Sequence, residues 1–397
     1  MSSVWNNGLG RINVSRLCKK GFLQSYLEYT SELESPELFH FWACVSMLGA
    51  TLGRKCYINR GYFTCYPNEY IILVSESARC RKTTSAEQAI KLYRKAEITP
   101  VLRGNVTRRS LSRHLHEMNE EMGCSFTYLY SPELGTLLGA ESYISGLMTL
   151  ITDFYDCPEE NEHRTQTQGT DTHKDVFLSL LGCTTPSWLS SMPPDMVEGG
   201  FSSRALFVVQ NKPRPPRPRP TKSDRTKELE LMLIEDVKAI YALSGEFKWT
   251  RDAEVHFDEW YVREYDKIDK ADVRLRAYYG RKGEHLLKLA MVLSASRNDS
   301  MLITPFDIDS SLAFLGQVEQ HMAYAFRGFG LANSTKHIDR IMQQIEECGG
   351  VAQHSFLMKK NHLYMNKDEL DKVIETLISA NMISYRMSKK GKEYFTI

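Results

Sequence analysis

The stretch ESARCRKTTS, Glu76 to Ser85, sets a lysine and two threonines directly behind an apolar run, Tyr70–Val74. Lys-Thr after a strand and a small-residue loop is how a phosphate-binding loop, G-x-x-x-x-G-K-[ST], ends. In such a loop consecutive backbone N–H groups and the following helix N-terminus wrap the β- and γ-phosphates. The lysine adds a point charge and the hydroxyl binds Mg²⁺. Here the two glycine positions hold Glu76 and Arg81. A bulky residue in the left-handed conformation costs roughly 1–2 kcal/mol, so the loop is expected to follow a different path. The candidate cofactor contacts are Ser77, Ala78, Arg79, Cys80, Arg81, Lys82, Thr83 and Thr84. Taken alone, the stretch is equally compatible with a nucleotide site and with a coincidence of spacing.

Three further positions give it context. An ATPase needs an acid on a neighbouring strand to polarise the attacking water or hold Mg²⁺, and Glu133 follows the apolar run Phe126–Tyr130, with Ser131-Pro132 where an aspartate is usual. The metal ligands would be Thr83 and Glu133. Another strand should end in a polar residue near the γ-phosphate, and VFLSLLGCTT ends in Thr184-Thr185. Ring ATPases insert an arginine from the adjacent subunit, and Arg204 follows a Gly-Gly turn. Singly, each has a structural reading: a carboxylate favoured by a helix N-terminus, a cap, a surface charge. Their joint order favours Glu133, Thr184 and Arg204 as a catalytic set.

In that order the segments ESARCRKTTSA, YSPELGTLLG, LITDFYDCPEENEHRT, VFLSLLGCTTPSWL and GGFSSRALFVV resemble a family of phage and mobile-element P-loop proteins. Its members are replicative helicases or primase-helicase ATPases, often labelled only a domain of unknown function. The resemblance spans roughly residues 36–300. Cys-Arg-Lys-[Ser/Thr] recurs in that family, so the resemblance implies that the glycine-free loop is a family form. By the same match Lys82 and Thr83 would take phosphate and Mg²⁺, Glu133 would polarise water and Arg204 would be the trans arginine finger.

The elements that must position these groups read as an α/β, RecA/AAA+-like core. Residues 1–66 read as a helical region, with Ser35-Pro36 marking a cap and first turn. Candidate strands at Tyr70–Val74, Thr99–Leu102, Phe126–Tyr130, Val176–Leu181 and Ala205–Val209 alternate with helices starting near Thr84, Thr107, Glu133 and Glu141. This places the core at 67–210. NKPRPPRPRPTKSD, residues 211–224, reads as an extended spacer, whose arginines could also touch a phosphate backbone. Helices fill 225–332. Residues 333–397 read as three helices and a hairpin about a Lys-Lys-Gly turn, a winged helix-turn-helix.

For nucleic acid the candidates are His163, Arg164 and Lys174, in a polar stretch ahead of the sensor strand, and Lys389 and Lys390 in the wing. The first group suits a loop facing a ring centre and holding single-stranded DNA; an exposed hairpin without a ligand is as compatible. The last long helix, NKDELDKVIETLISA, is acidic on its exposed face, which opposes deep insertion beside phosphates. A protein contact or a wing-led duplex contact fits that module as well as sequence reading does.

A net charge of +1 confines any DNA contact to local patches. Nine cysteines without a C-x-x-C pair suggest a reducing compartment. His40 and Cys44, one helical turn apart, read as a helix face rather than a metal site. With no apolar run of membrane length and no signal peptide, the expected location is the cytoplasm of a bacterium or phage-infected host. The function expected is a ring-forming, ATP- and Mg²⁺-dependent DNA translocase or helicase in phage or plasmid replication, working beside a separate primase. The rival is a DNA-replication initiator or helicase loader with a winged-helix DNA-binding domain that binds nucleotide poorly or not at all, or does not hydrolyse it, and works by assembly.

Overall fold

The computed structural model describes residues 16–98, 101–104, 106–139, 146–165, 169–190, 200–265, 267–268, 275–325, 333–362, 364–380, 382–388 and 391–396, without the side chains of 163–165, 169–170, 323–325, 333–336 and 339. The chain divides into two compact units, Met1–Arg327 and Gly328–Ile397.

The first unit is mixed α/β. Two helices, α1 (Phe22–Tyr29) and α2 (Glu37–Leu52), precede a short antiparallel pair, β1 (Cys56–Asn59) and β2 (Thr64–Cys65). The all-helical reading of residues 1–66 therefore stops at Leu52. Gly61, at φ +79, turns the chain between the two strands. The main sheet follows: β3 (Tyr70–Val74), helix α3 (Lys82–Lys95), β4 (Val101–Arg103), α4 (Arg108–Met122) and β5 (Phe126–Ser131). After β5 come α5 (Leu134–Leu137), α6 (Leu147–Phe154) and a hairpin of β6 (Glu160–Thr165) and β7 (Gly169–Lys174). Strand β8 (Phe177–Thr184), α7 (Pro186–Ser190), α8 (Phe201–Arg204) and β9 (Ala205–Val209) complete it. The helix expected near Glu141 falls outside the described residues.

All five strands are parallel, in the order β4-β5-β8-β3-β9. Strands β3 and β8 are buried along their whole length, as a parallel sheet covered by helices requires. Continuous apolar runs such as Tyr-Ile-Ile-Leu-Val therefore mark them better than alternation would. Gly182 in β8 leaves room for side chains packed on the sheet face, because a Cβ there would lie 2.9 Å from Ile72 Cδ1 and 3.1 Å from Leu134 Cδ1. Helix α4 starts where a capping box predicts: the Thr107 side chain accepts from Ser110 N at 3.1 Å, and Ser110 returns a bond to Thr107 N.

Beyond the sheet, residues 210–223 carry no regular structure and lie against the turn between α1 and α2. Arg214 donates to Thr30 O and pairs with Glu37, and Arg217 pairs with Glu32. The expected spacer is thus a strap, and two arginines considered for a phosphate backbone hold it to its own chain. Helix α9 (Asp224–Tyr241) leads to β10 (Gly245–Glu246) and β11 (Lys248–Trp249). Then come α10 (Arg251–Tyr265), α11 (Arg276–Arg297), β12 (Leu302–Ile303) and α12 (Pro305–Ala325). His40 and Cys44 are both wholly buried, and among the described residues no cluster of three or more His, Cys, Asp or Glu could hold a metal ion. Nor is any described helix long and apolar enough to cross a membrane.

The second unit runs α13 (Asn333–Glu347), β13 (Val351–Gln353), α14 (His354–Asn361), α15 (Lys367–Ser379), β14 (Ile383–Ser388) and β15 (Gly391–Thr396). Its sheet order is β13-β15-β14, antiparallel throughout. It has a core of its own, including Ile341, Ile345, Leu357, Leu370, Ile374, Leu377 and Tyr394.

Candidate functional site

Parallel strands present their following loops at one edge, and in open α/β sheets ligands bind outside the carboxyl ends. Here β5, β8 and β3 are neighbours. The acid after β5, the threonine ending β8 and the loop after β3 therefore converge. A cavity of about 310 Å³ opens between them, lined by Ser77, Ala78, Arg81, Lys82, Thr83 and, across from these, Glu133, Thr184 and Trp188.

The loop does not avoid the left-handed region. Arg81, at the usual glycine position before the lysine, has φ 46 and ψ 46 and caps α3, and Ala78 has φ 58. The expectation of a different path is thus corrected at Arg81: the turn is kept and its strain is accepted. Cys80 helps to hold it. Its side chain is wholly buried beneath the loop, and burial raises its thiol pKa. Cys80, Arg79 and Thr84, expected among the nucleotide contacts, do not line the cavity. Arg79 is exposed, and Thr84 donates its backbone N–H to Arg81 O within the first turn of α3.

Lys82 folds back over the loop, donating to Ser75 O at 2.7 Å, Ser75 Oγ at 3.2 Å and Glu76 O at 3.2 Å. Partial burial lowers its pKa, opposed by the nearby Cys183, Cys80 and Glu76. Neutral carbonyls are weaker partners for an ammonium than a phosphate is. Glu133 is exposed at the start of α5 and faces the same cavity, and Thr184 is buried at the end of β8. The capping role open to Thr184 falls to Thr185, whose Oγ1 accepts from Trp188 N. Trp188 walls the cavity close to Gly135, where a Cβ would meet the indole at 3.0 Å. The donor set suits Mg²⁺, which takes few protein oxygens and leaves the rest of its shell to water and phosphate: the Thr83 hydroxyl and the Glu133 carboxylate share this one cavity.

Arg204 is elsewhere. It ends α8 just before β9, whose first residue, Ala205, pairs with Tyr70 at the amino end of β3. The loop begins past Val74, so Arg204 and its own cavity lie at opposite edges, roughly 15 Å apart along the strand. Its guanidinium pairs with Asp156 at 2.6 Å, and Arg281 approaches the other oxygen of that carboxylate at 3.3 Å. Below this pair His285 is wholly buried, between Glu69 Oε2 and Ser203 O, each at 3.0 Å. Both partners accept, so the ring donates from both nitrogens. Burial is the largest single influence and opposes the imidazolium, but Glu69, the Ser203 carbonyl and nearby Glu284 together outweigh it and the pKa is raised. Nothing in the sequence singled out Glu69, His285 or Asp156.

The polar stretch ahead of β8 is a six-pair hairpin, with His163 opposite Asp171 and Arg164 opposite Thr170. The side chains of His163 and Arg164 lie outside the description, as do Lys389 and Lys390. Lys174 is exposed at the root of the hairpin, where its backbone bonds Ser125. His173 is buried against Ser112 of α4, and Ser112 also donates to Asp171. In α4 itself Arg113 is paired with Glu117.

No family model and no curated protein matches the chain. Among solved structures it is similar to a full-length MCM homolog from Methanopyrus kandleri, at 12% identity and a TM-score of 0.43, over 75% of this chain and 58% of that one. The chain therefore spans less than two thirds of that structure's length.

Proposed function

We propose that the chain is a P-loop ATPase with a RecA/AAA+-like core that assembles into a homo-oligomeric ring and moves on DNA, as a helicase or translocase of phage or plasmid replication. One observation carries this reading: three adjacent strand ends bring Lys82 and Thr83, Glu133 and Thr184 to one cavity. ATP would enter with its terminal phosphates against the loop N–H groups and the start of α3. Lys82 would exchange its carbonyl partners for phosphate oxygens. Glu133 would orient a water for in-line attack on the γ-phosphorus, as the bond to the β-phosphate oxygen breaks. Mg²⁺, held by Thr83 and Glu133, would neutralise charge on the phosphates. A catalytic role for Arg204 is one in trans, because it lies at the far edge from its own cavity; Asp156 would share or release it when a neighbour docks.

The hairpin of β6 and β7 is the candidate contact for single-stranded DNA, through His163, Arg164 and Lys174. The second unit has the element order of a winged helix, and Lys389 and Lys390 are the candidate duplex contacts of that module. Pro132 at the usual aspartate position favours a second reading, a DNA-binding initiator or loader that binds nucleotide poorly or not at all, or does not hydrolyse it.

DNA-stimulated ATP hydrolysis separates the two. The enzyme reading expects turnover that falls at least 100-fold in Lys82→Ala and in Glu133→Gln. It also expects that an Arg204→Ala chain mixed with a Lys82→Ala chain recovers part of the activity, since one intact site forms at the mixed junction. Wild type that binds DNA but never hydrolyses ATP would establish the second reading.

A further inference from the structure

Glu34 lies in the turn between α1 and α2, far from the loop in sequence, yet its Oε2 stands 2.6 Å from Arg81 Nε. Two bonds from the strap fix Glu34 in place. Its Oε1 accepts from Arg217 N at 2.8 Å, and its carbonyl accepts from Arg214 N at 2.9 Å. The Glu34 side chain is only 18% exposed, whereas that of Arg81 is 59% exposed and belongs to the cavity wall. The carboxylate is therefore the anchored member of the pair and the guanidinium the movable one. A glycine at this position could form no such contact.

Resting on the nucleotide-site reading above, we propose that Arg81 is a phosphate-binding residue held in reserve by Glu34. Its guanidinium leaves the carboxylate for a terminal phosphate of bound ATP, and Glu34 sets how readily it goes. The physical balance favours exchange. A single ion pair with a largely exposed partner contributes little, while a triphosphate beside Lys82 offers several negative oxygens to a planar, forked donor. The left-handed backbone of Arg81 puts the side chain at the cavity mouth. The same side chain that strains the turn thus supplies a charge that glycine loops lack.

Equilibrium binding of a fluorescent ATP analogue with Mg²⁺ to the full chain tests this, using wild type, Glu34→Gln, Arg81→Ala and the double variant. Gln keeps an acceptor for Arg217 N and removes the charge facing Arg81. Glu34→Gln should tighten binding about two- to fivefold, Arg81→Ala should weaken it by at least fivefold, and Glu34→Gln should change nothing once Arg81 is gone. Arg81→Lys, which keeps the charge without the fork, should fall between wild type and Arg81→Ala and guards against a folding artefact. The proposal is overturned if Glu34→Gln is neutral, if it tightens binding equally without Arg81, or if Arg81→Ala binds as tightly as wild type. Lys82→Ala distinguishes these failures from failure of the site: a tenfold loss there with a neutral Glu34→Gln removes only the reserve role. Wild type that binds no better than Lys82→Ala removes both.

Discussion

Arg81 sits at φ 46 and ψ 46, a conformation most side chains avoid, at the step where the loop turns into α3. Strain of about 1–2 kcal/mol in such a place persists only when the surroundings over-determine it. Buried Cys80, the Glu34 ion pair and the Lys82 bonds to Ser75 and Glu76 are those surroundings. The Lys-Thr pair was legible in the sequence because its chemistry is carried by residue type and spacing. Glu34 was not, because nothing local marks a contact made only when distant turns meet. His40 offers a test at this same scale. It is wholly buried, with Nε2 2.8 Å from Ser35 Oγ. Burial, reinforced by the nearby Arg214, pushes its pKa down to about 3. A folded value below the unfolded one of about 6.5 means that the unfolded chain takes up the proton first as pH falls. The contribution is full above pH ~6.5 and is lost toward pH ~3, at about 1.4 kcal/mol per unit. Urea unfolding at pH 7.5 and 5.5 should show an acid-induced loss about 1.4 kcal/mol smaller in His40→Gln than in wild type. Equal losses would show that His40 is not held neutral.

The strands of the sheet were readable as apolar runs, and all five stand within a few residues of their expected places. The pair β1–β2 was not, since strands of four and two residues lack a period to detect. Close packing of α2 was also invisible, because it depends on what lies opposite. A Cβ on Gly49 would stand 2.4 Å from Pro67 O, a backbone atom that cannot swing aside. Alanine is the better helix former by roughly 1 kcal/mol, yet Gly49→Ala should destabilise the first unit by about 1–3 kcal/mol through overpacking. Gly280, exposed in α11 with nothing within 4 Å of its Cβ position, is the control. Gly280→Ala should raise stability by up to about 1 kcal/mol. Thermal unfolding of both variants decides it: a shift of the same sign would mean that propensity, not contact with Pro67, governs both sites.

The chain as a whole comprises two units, each with its own buried core. Removing one core side chain from the second unit should therefore leave the proposed nucleotide cavity untouched. Leu370 is wholly buried there, so Leu370→Ala should destabilise residues 328–397 by about 2–5 kcal/mol. ATP turnover without DNA should stay within about twofold of wild type. Two calorimetric transitions in wild type, with only one moved in the variant, would support this independence. Loss of basal turnover together with that transition would show that the units act as one.

The sequence by itself determined the apolar strands, the order of the polar residues along them and the helix caps at Thr107 and Asn366, all of which depend on residues near one another in the chain. Only the tertiary structure decided which of those polar residues share a cavity. Strand order put Glu133 and Thr184 beside Lys82, and the parallel pairing of β9 with β3 left Arg204, just ahead of β9, at the opposite edge. It decided too that the glycine-free loop keeps a left-handed turn and that Glu34 meets Arg81. Local preference disfavours the conformation of Arg81, and long-range contacts, which no short stretch encodes, overrule it.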